Sequence, residues 1–468
     1  MLRSVPVTFF PVGVSAGQGV APALASGGPG GRRAIAVESY HDPMAAPFHR
    51  DETFEAISRR AFILGVANGI LFGFASAFVD GTTVLPVFVN KVSSSSLAVG
   101  ALAAVGTGGW LLPQLVAANF IQAKKKKMPV YRAMSLIRGA CWPMAAAAVA
   151  LLGKSNPGAA LAVFFITYAS FTLTGGVGTL AFMDVIARAI PINKFSRFWG
   201  ARQVGGGVLA ILAGIVAKQV LATDGSLTAF AKLFAMASIV FVFALGSFAA
   251  VREPPGGTYT EQRAPLLRFL LQAPQVLRRD RLFRRLFEVR LLASAAGLAG
   301  PFYIVYCREH LAMPDSMLAT YLVSQVVGGI ISNFVWTPVG ERYGSRTLLA
   351  ASLGAGFAVP LTAFLVSSIP VDASAARLTF TAIFFLMGTV ASGSSIANTN
   401  YLLEVAPDQE RPLYIGLMNT LLATAAIFPL LGAVVVDVAS YQAAFALSAA
   451  ATLGAVFLTL RLAPGREA

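Results

Sequence analysis

The chain has 468 residues, of which 56% are hydrophobic and only 12% charged, and its formal net charge is +15. A soluble domain carries about 25% charged residues, so this composition excludes a soluble globular fold. The basic residues fall in alternate loops, a membrane-topology pattern that excludes a nucleic-acid binder.

Residues 1–52 are rich in Gly, Pro and Ala and are expected to form a disordered cytoplasmic tail. Residues 1–25 resemble a signal peptide only faintly, because Pro6, Pro11 and Gly13 interrupt the apolar run. Beyond the tail, apolar blocks match the roughly 20 residues needed to cross a bilayer core. Lipid satisfies no backbone group, so each block must be a helix or belong to a closed barrel. The alternation of barrel strands is absent. Twelve helices are predicted, near 60–90, 97–121, 130–152, 159–187, 199–221, 228–250, 287–308, 316–338, 347–368, 376–401, 412–437 and 441–462. The expected fold class is all-α integral membrane: twelve transmembrane helices in two pseudo-symmetric six-helix bundles.

The loops on one side carry Lys124, Lys125, Lys126, Lys127, Arg188, Lys194, Arg342, Arg346 and Arg411, with Arg202 counted among them. The opposite side has little beyond Lys91, Lys154, Lys218, Arg308 and Arg377. The positive-inside rule makes the first side cytoplasmic and puts both termini there, in a cell inner membrane. Arg138 and Arg290, inside spans, are expected to snorkel to that surface. The predicted organisation is a bundle at 53–251, a cytoplasmic amphipathic linker at 252–286, a second bundle at 287–463 and a short cytoplasmic tail at 464–468. Leu266, Leu270, Val276 and Leu282 alternate with arginines in the linker, a pattern suited to an anionic membrane surface. A docking segment for a soluble partner has the same pattern.

An offset of 216 residues aligns landmarks of the two halves: Pro191 with Pro407, Gly200 with Gly416, Phe198 with Tyr414, and Asp184 with Asn400. Halves related by an axis along the membrane normal are one known transporter plan. After the eighth span comes Glu341-Arg342-Tyr343-Gly344-Ser345-Arg346. It resembles the Asp/Glu-Arg-x-Gly-x-Arg loop of the major facilitator superfamily. The resemblance covers about 55–463 and implies that Glu341, Arg342 and Arg346 are cytoplasmic gate residues, with Gly344 the tight turn. The first half departs from the pattern, with Ala123, four lysines, Met128 and Pro129 where an acid and a glycine are expected. Asp184 and Arg188, spaced i to i+4, are the candidate ion pair there.

Polar groups inside spans are the substrate and coupling candidates. Gly69, Gly73, Ser76, Asp80 and Thr83 share one face of the first helix. A buried carboxylate at Asp80 could carry a proton; the alternative is a local irregularity of the helix at Asp80-Gly81-Thr82-Thr83. Thr172 and Thr179 in the fourth span, Ser395 and Asn398 in the tenth, and Asn68, Tyr303 and Tyr306 complete the set. Uncharged hydrogen-bonding groups suit a neutral or zwitterionic solute, and suit helix packing equally well. Cys141, Cys307, His41, His49 and His310 show no ligand spacing, so no metal or cofactor is expected. No enzyme constellation stands at a usable spacing. The expected partners are the lipid bilayer, a small-molecule substrate and protons. The leading expectation is a secondary transporter working by alternating access and coupled to an ion or proton. The alternative is a non-transporting assembly factor or scaffold of the same fold, motivated by the degenerate first-half gate and sparse buried charge.

Overall fold

The structure is a computed structural model that describes residues 52–122, 124–223, 226–254, 274–407 and 411–463. Residues 1–51 of the tail predicted at 1–52 and most of the linker lie outside the described residues, and Glu52 begins the first helix. The described chain is helical: α1 (Glu52–Phe78), α2 (Val84–Ser93), α3 (Ser96–Gln122), α4 (Met128–Leu152), α5 (Pro157–Ala189), α6 (Phe195–Thr223) and α7 (Leu227–Ala249) form the first half. The second half contains α8 (Arg281–Ser294), α9 (Phe302–His310), α10 (Met317–Ile331), α11 (Asn333–Ser368), α12 (Ala373–Val405), α13 (Arg411–Leu422), α14 (Phe428–Val438) and α15 (Tyr441–Leu460).

Eleven stretches of the described residues are long and apolar enough to cross a membrane. One of them, Met317–Ser368, is 52 residues long. At about 1.5 Å per residue it would run more than twice the hydrocarbon thickness. It breaks at Gly344, whose φ of 80° and ψ of 169° are not helical, and so supplies two crossings, the eighth and ninth of twelve. A Cβ on Gly344 would meet nothing within 4 Å, so glycine is needed there for its backbone conformation, not for space.

Four of the even-numbered crossings, which start opposite the lysine-rich turn, are opened by a side-chain cap. Asn156 caps α5, Ser226 caps α7, Asp372 caps α12 and Ser440 caps α15. Each oxygen satisfies amides that a helix start leaves free. Apolar side chains cover the lipid-facing surface: Leu136 is 78% exposed, Phe334 81% and Val438 82%. In water such a surface would aggregate; in hydrocarbon it is solvated.

The 216-residue offset recurs in the backbone. α5 runs from 157 to 189 and α12 from 373 to 405, the same shift at both ends. The first crossing is interrupted at 79–83, and the seventh is interrupted by a short 3-10 turn, Ala295–Leu298, at the shifted place. The second bundle begins earlier than the sequence suggests. Asp280 caps α8 by accepting from the amides of Leu282 and Phe283, and it accepts a 2.8 Å bond from the Tyr414 hydroxyl. Phe283 and Leu286 are fully buried in the second half. Residues 281–286, predicted as linker, therefore belong to the bundle, because their apolar face finds helices to pack on.

The core is divided in an informative way. Away from the lysine-rich turn, one continuous apolar cluster joins the halves, uniting Phe78 and Phe88 with Tyr306, Tyr321 and Phe384. Near that turn each half keeps its own core: Tyr131, Phe182 and Phe198 in the first, Trp336, Tyr401 and Tyr414 in the second.

Candidate functional site

A cavity of about 650 Å³ lies between the halves, bounded by the first and fifth crossings on one side and the eighth and tenth on the other. It runs from Asp80 and Leu322 toward Trp199 and Ile396, that is, toward the end where the cores separate. Its polar wall comes from both halves: Arg202 and Gln203 from the first, Gln325, Asn333, Ser392 and Ser395 from the second. The Ser392 hydroxyl donates to Asn333 Oδ1 at 2.8 Å. Glycines make the walls thin. A Cβ on Gly69 would strike the Arg202 side chain, and one on Gly388 would collide with the Gln325 carbonyl.

The far end of the cavity is closed by polar contacts between halves. Lys91 pairs with Asp315. Asn90 donates to Glu309 at 2.7 Å and accepts from Arg308, and within the second half Tyr441 donates to the same Glu309 at 2.6 Å. The break in the first crossing adds another link, with the Thr82 hydroxyl 2.9 Å from the Gln325 amide.

Asp80, on the cavity wall, is built into that break. Its Oδ1 accepts from the amides of Thr82 and Thr83, both at 2.9 Å, and from both threonine hydroxyls. It closes the turn that starts α2, the irregularity named above as the alternative to a proton carrier. Ser395 faces the cavity. Asn68 is buried beside it, donating to the Ala244 carbonyl at 2.6 Å and accepting from Arg202 at 3.1 Å. Thr172 bonds back to its own helix and packs against Gly109. Thr179 also bonds its own helix, at Gly175. Tyr303 and Tyr306 are core aromatics, stacked on Phe445 and His310 respectively. Asn398 has a buried, unpartnered Oδ1 away from the cavity wall.

At the basic end the predicted gate residues divide. Arg188 bonds Asp184 through Nε at 2.8 Å, and its Nη2 meets Glu253 at 2.5 Å. Glu253 also accepts from the amides of Lys127, at 2.8 Å, and Met128, at 2.9 Å, at the start of α4. The acid missing from the turn at 123–129 is thus supplied from beyond α7. A carboxylate suits a helix N-terminus. Burial pushes the Glu253 carboxyl upward, but the two amides and the Arg188 guanidinium together hold it below the ordinary carboxylate range. Lys127 is buried, with its ammonium on the carbonyls of Ile121 and Lys124. In the second half, Glu341 and Arg342 are exposed. Arg346 donates to the Leu460 carbonyl at 2.6 Å, and Ser345 donates to Glu404 at 2.6 Å.

Two arginines lie where the sequence did not put them. Arg202 is inside the membrane region, bonded to the Gly65 carbonyl and Asn68. Arg138 is only 6% exposed. It stands ten residues into α4, about 15 Å from its start, near the bilayer midplane and beyond the reach of a snorkelling side chain.

The comparisons agree with this geometry. A family model for the Major Facilitator Superfamily matches residues 291–468. A bacterial homologue of the iron transporter ferroportin, in an inward-facing state, aligns with 87% of this chain and 98% of its own, with a TM-score of 0.63 at 15% identity. A D-xylose-proton symporter aligns over the same shares, again with a TM-score of 0.63 and 15% identity. The chain has the major facilitator superfamily fold. An uncharacterized protein of Mycobacterium tuberculosis (strain ATCC 25618 / H37Rv) is 23% identical over 271 residues, which is 57% of this chain and 51% of the relative. The chain thus spans about half the length of the curated relatives it matches. Among the described residues no cluster of His, Cys, Asp and Glu could hold a metal ion. In this major facilitator fold the cavity sits on the interface of the two bundles, and its lining is mostly uncharged apart from Arg202 and Asp80.

Proposed function

We propose that this protein is a secondary transporter that carries a small solute across the cell inner membrane by alternating access, with both termini cytoplasmic. The observation that carries the reading is the divided core. The halves share one apolar cluster, the Lys91–Asp315 ion pair and hydrogen bonds of Asn90 at that end, while the cavity extends toward the basic end, where each half is packed separately. With the basic end cytoplasmic by the positive-inside rule, this is an inward-facing arrangement. Rocking the halves about the cavity would exchange it for an outward-facing one.

An ion or proton gradient drives the cycle in this reading, though Asp80 is a poor carrier for it: its Oδ1 already accepts four bonds in the turn that starts α2. The scaffold alternative rested on the degenerate first-half gate and on sparse buried charge; Glu253 at that gate answers the first of these grounds and favours the transporter reading.

The test is flux into proteoliposomes holding the purified protein, across a broad solute panel, with an imposed proton or sodium gradient and with the gradient collapsed. Uptake of one class above that of empty vesicles, dependent on a gradient, is expected. A folded, monodisperse preparation that moves none of the panel under any gradient overturns the transporter reading.

A further inference from the structure

The first bundle holds a second, smaller cavity of about 170 Å³. Arg138, Tyr131 and Thr179 reach into it, and Phe72, Trp199 and Arg202 line both this pocket and the central cavity. It is a side chamber of the candidate transport path.

Arg138 is the unusual group. Its Nε and Nη2 are buried and make no hydrogen bond. Aromatic faces surround the guanidinium, with Phe171 at 4.3 Å, Phe72 at 5.2 Å and Trp110 at 5.9 Å from its carbon. Those rings stabilise a cation but accept no conventional hydrogen bond. Gly175 clears the space: a Cβ there would strike Trp110 and come within 3.3 Å of Arg138. The nearby Arg202 is held by a carbonyl and an amide oxygen, neither of them charged, and by the faces of Phe182 and Trp199. Asp184 and Glu253 are occupied at the basic face by Arg188. Among the described residues, two cations therefore sit at membrane depth in this bundle with no carboxylate bonded to either. Such charges are costly to hold in hydrocarbon and are retained where they act on something.

Nε and Nη2 form one edge of the guanidinium. Their N–H bonds run parallel and match the two oxygens of a single carboxylate. The remaining wall is aromatic and apolar apart from Tyr131, Thr179 and Asn68. That is poor solvation for inorganic phosphate, which needs donors on every side, and good solvation for an organic tail.

We propose that Arg138 binds the carboxylate of a small organic monocarboxylate in this side chamber, with Arg202 at its mouth drawing the anion in from the central cavity. The inference rests on the transporter reading for its purpose, and it narrows the substrate class to organic anions instead of neutral or zwitterionic solutes.

The test is binding to the full-length protein in nanodiscs, read by quenching of tryptophan fluorescence, since Trp110 and Trp199 line the chamber. The probes are lactate and benzoate, their neutral amides lactamide and benzamide, and inorganic phosphate. Saturable quenching by at least one carboxylate, at least tenfold tighter than by its amide or by phosphate, is expected. Arg138→Gln is expected to weaken it at least tenfold, and Arg138→Lys, which keeps the charge but loses the flat edge, less than that. Acid and amide bound alike, phosphate bound most tightly, or no carboxylate bound by the wild type, overturns the proposal without any variant having to fold. So does Arg138→Gln binding as the wild type does. A carboxylate that binds but is never moved in the liposome assay leaves this site standing and overturns the transporter reading. A neutral solute that is transported unchanged by Arg138→Gln does the reverse.

Discussion

Glu253 joins the start of α4 to the end of α5, and the cost of losing it can be worked from its contacts. Its side chain is 7% exposed and accepts from two backbone amides and one guanidinium. Hydrogen bonds to a charged group contribute about 1.5–3 kcal/mol each, and stripping one partner from a buried pair costs about 3–5 kcal/mol. Glu253→Ala should therefore destabilise the first bundle by about 3 kcal/mol. Asp184 also touches Arg188, but its carboxylate is 37% exposed. An exposed i,i+4 pair contributes about 0.3–0.5 kcal/mol, so Asp184→Asn should be nearly silent. Thermal unfolding of detergent-purified protein reads the difference: a fall of about 5 °C or more for Glu253→Ala, and about 1–2 °C for Asp184→Asn. The pH dependence has a definite sign. The folded carboxyl is held below its ordinary value of 4.5, so its stabilisation is full above that pH and is lost as pH falls through the lower, folded value. The gap between wild type and Glu253→Gln should stay constant from about pH 8 to 5 and close below about 4.5. Equal losses from Glu253→Ala and Asp184→Asn, or a gap that widens on acidification, would refute this account of the contact at the basic end.

Other perturbations follow from the same geometry. Gly344→Ala meets no neighbour but forces a side chain into a backbone region that is essentially glycine's alone; a loss of about 1–3 kcal/mol is expected in the same unfolding assay. Asp80→Asn keeps an acceptor oxygen for the turn and should leave stability and gradient dependence near wild type, whereas Asp80→Ala should lose about 1 kcal/mol. Gradient-independent uptake by Asp80→Asn would restore Asp80 as the proton carrier. Breaking the Lys91–Asp315 pair should shift the inward–outward balance by about 1 kcal/mol at most, roughly fivefold. The shift should be visible as labelling of a cysteine placed at Thr83, and the charge-swapped double variant should reverse it.

The crossings were legible because bilayer thickness and backbone satisfaction leave a chain this apolar few alternatives. The repeat was legible as well, and the shared 216-residue shift of α5 and α12 shows why: both copies kept their length. The contacts inside the bundles were not. Glu253 reaches a turn 126 residues away in sequence, and no local spacing announces that pairing. Arg202 begins a span, so by position it resembled a loop charge, yet Gly69 leaves a groove that takes its guanidinium inward. Side-chain length and a place in the first turns of its helix point Arg138 to the surface, but its guanidinium is buried against Phe171. Tyr303 and Tyr306 were singled out as polar aromatics, but rings in a core and rings in a cavity have the same sequence signature.

Shifted by 216, Arg138 falls on Gly354 and Arg202 on the buried Met418. Among the described residues, only the first half brings arginines to the central cavity and its side chamber. An anion lodged there would ride with that half and leave the other to slide past it. The electrical work of the cycle would then fall on a single half, while its sibling, contributing Gln325, Asn333 and Ser395, serves as an uncharged counter-surface.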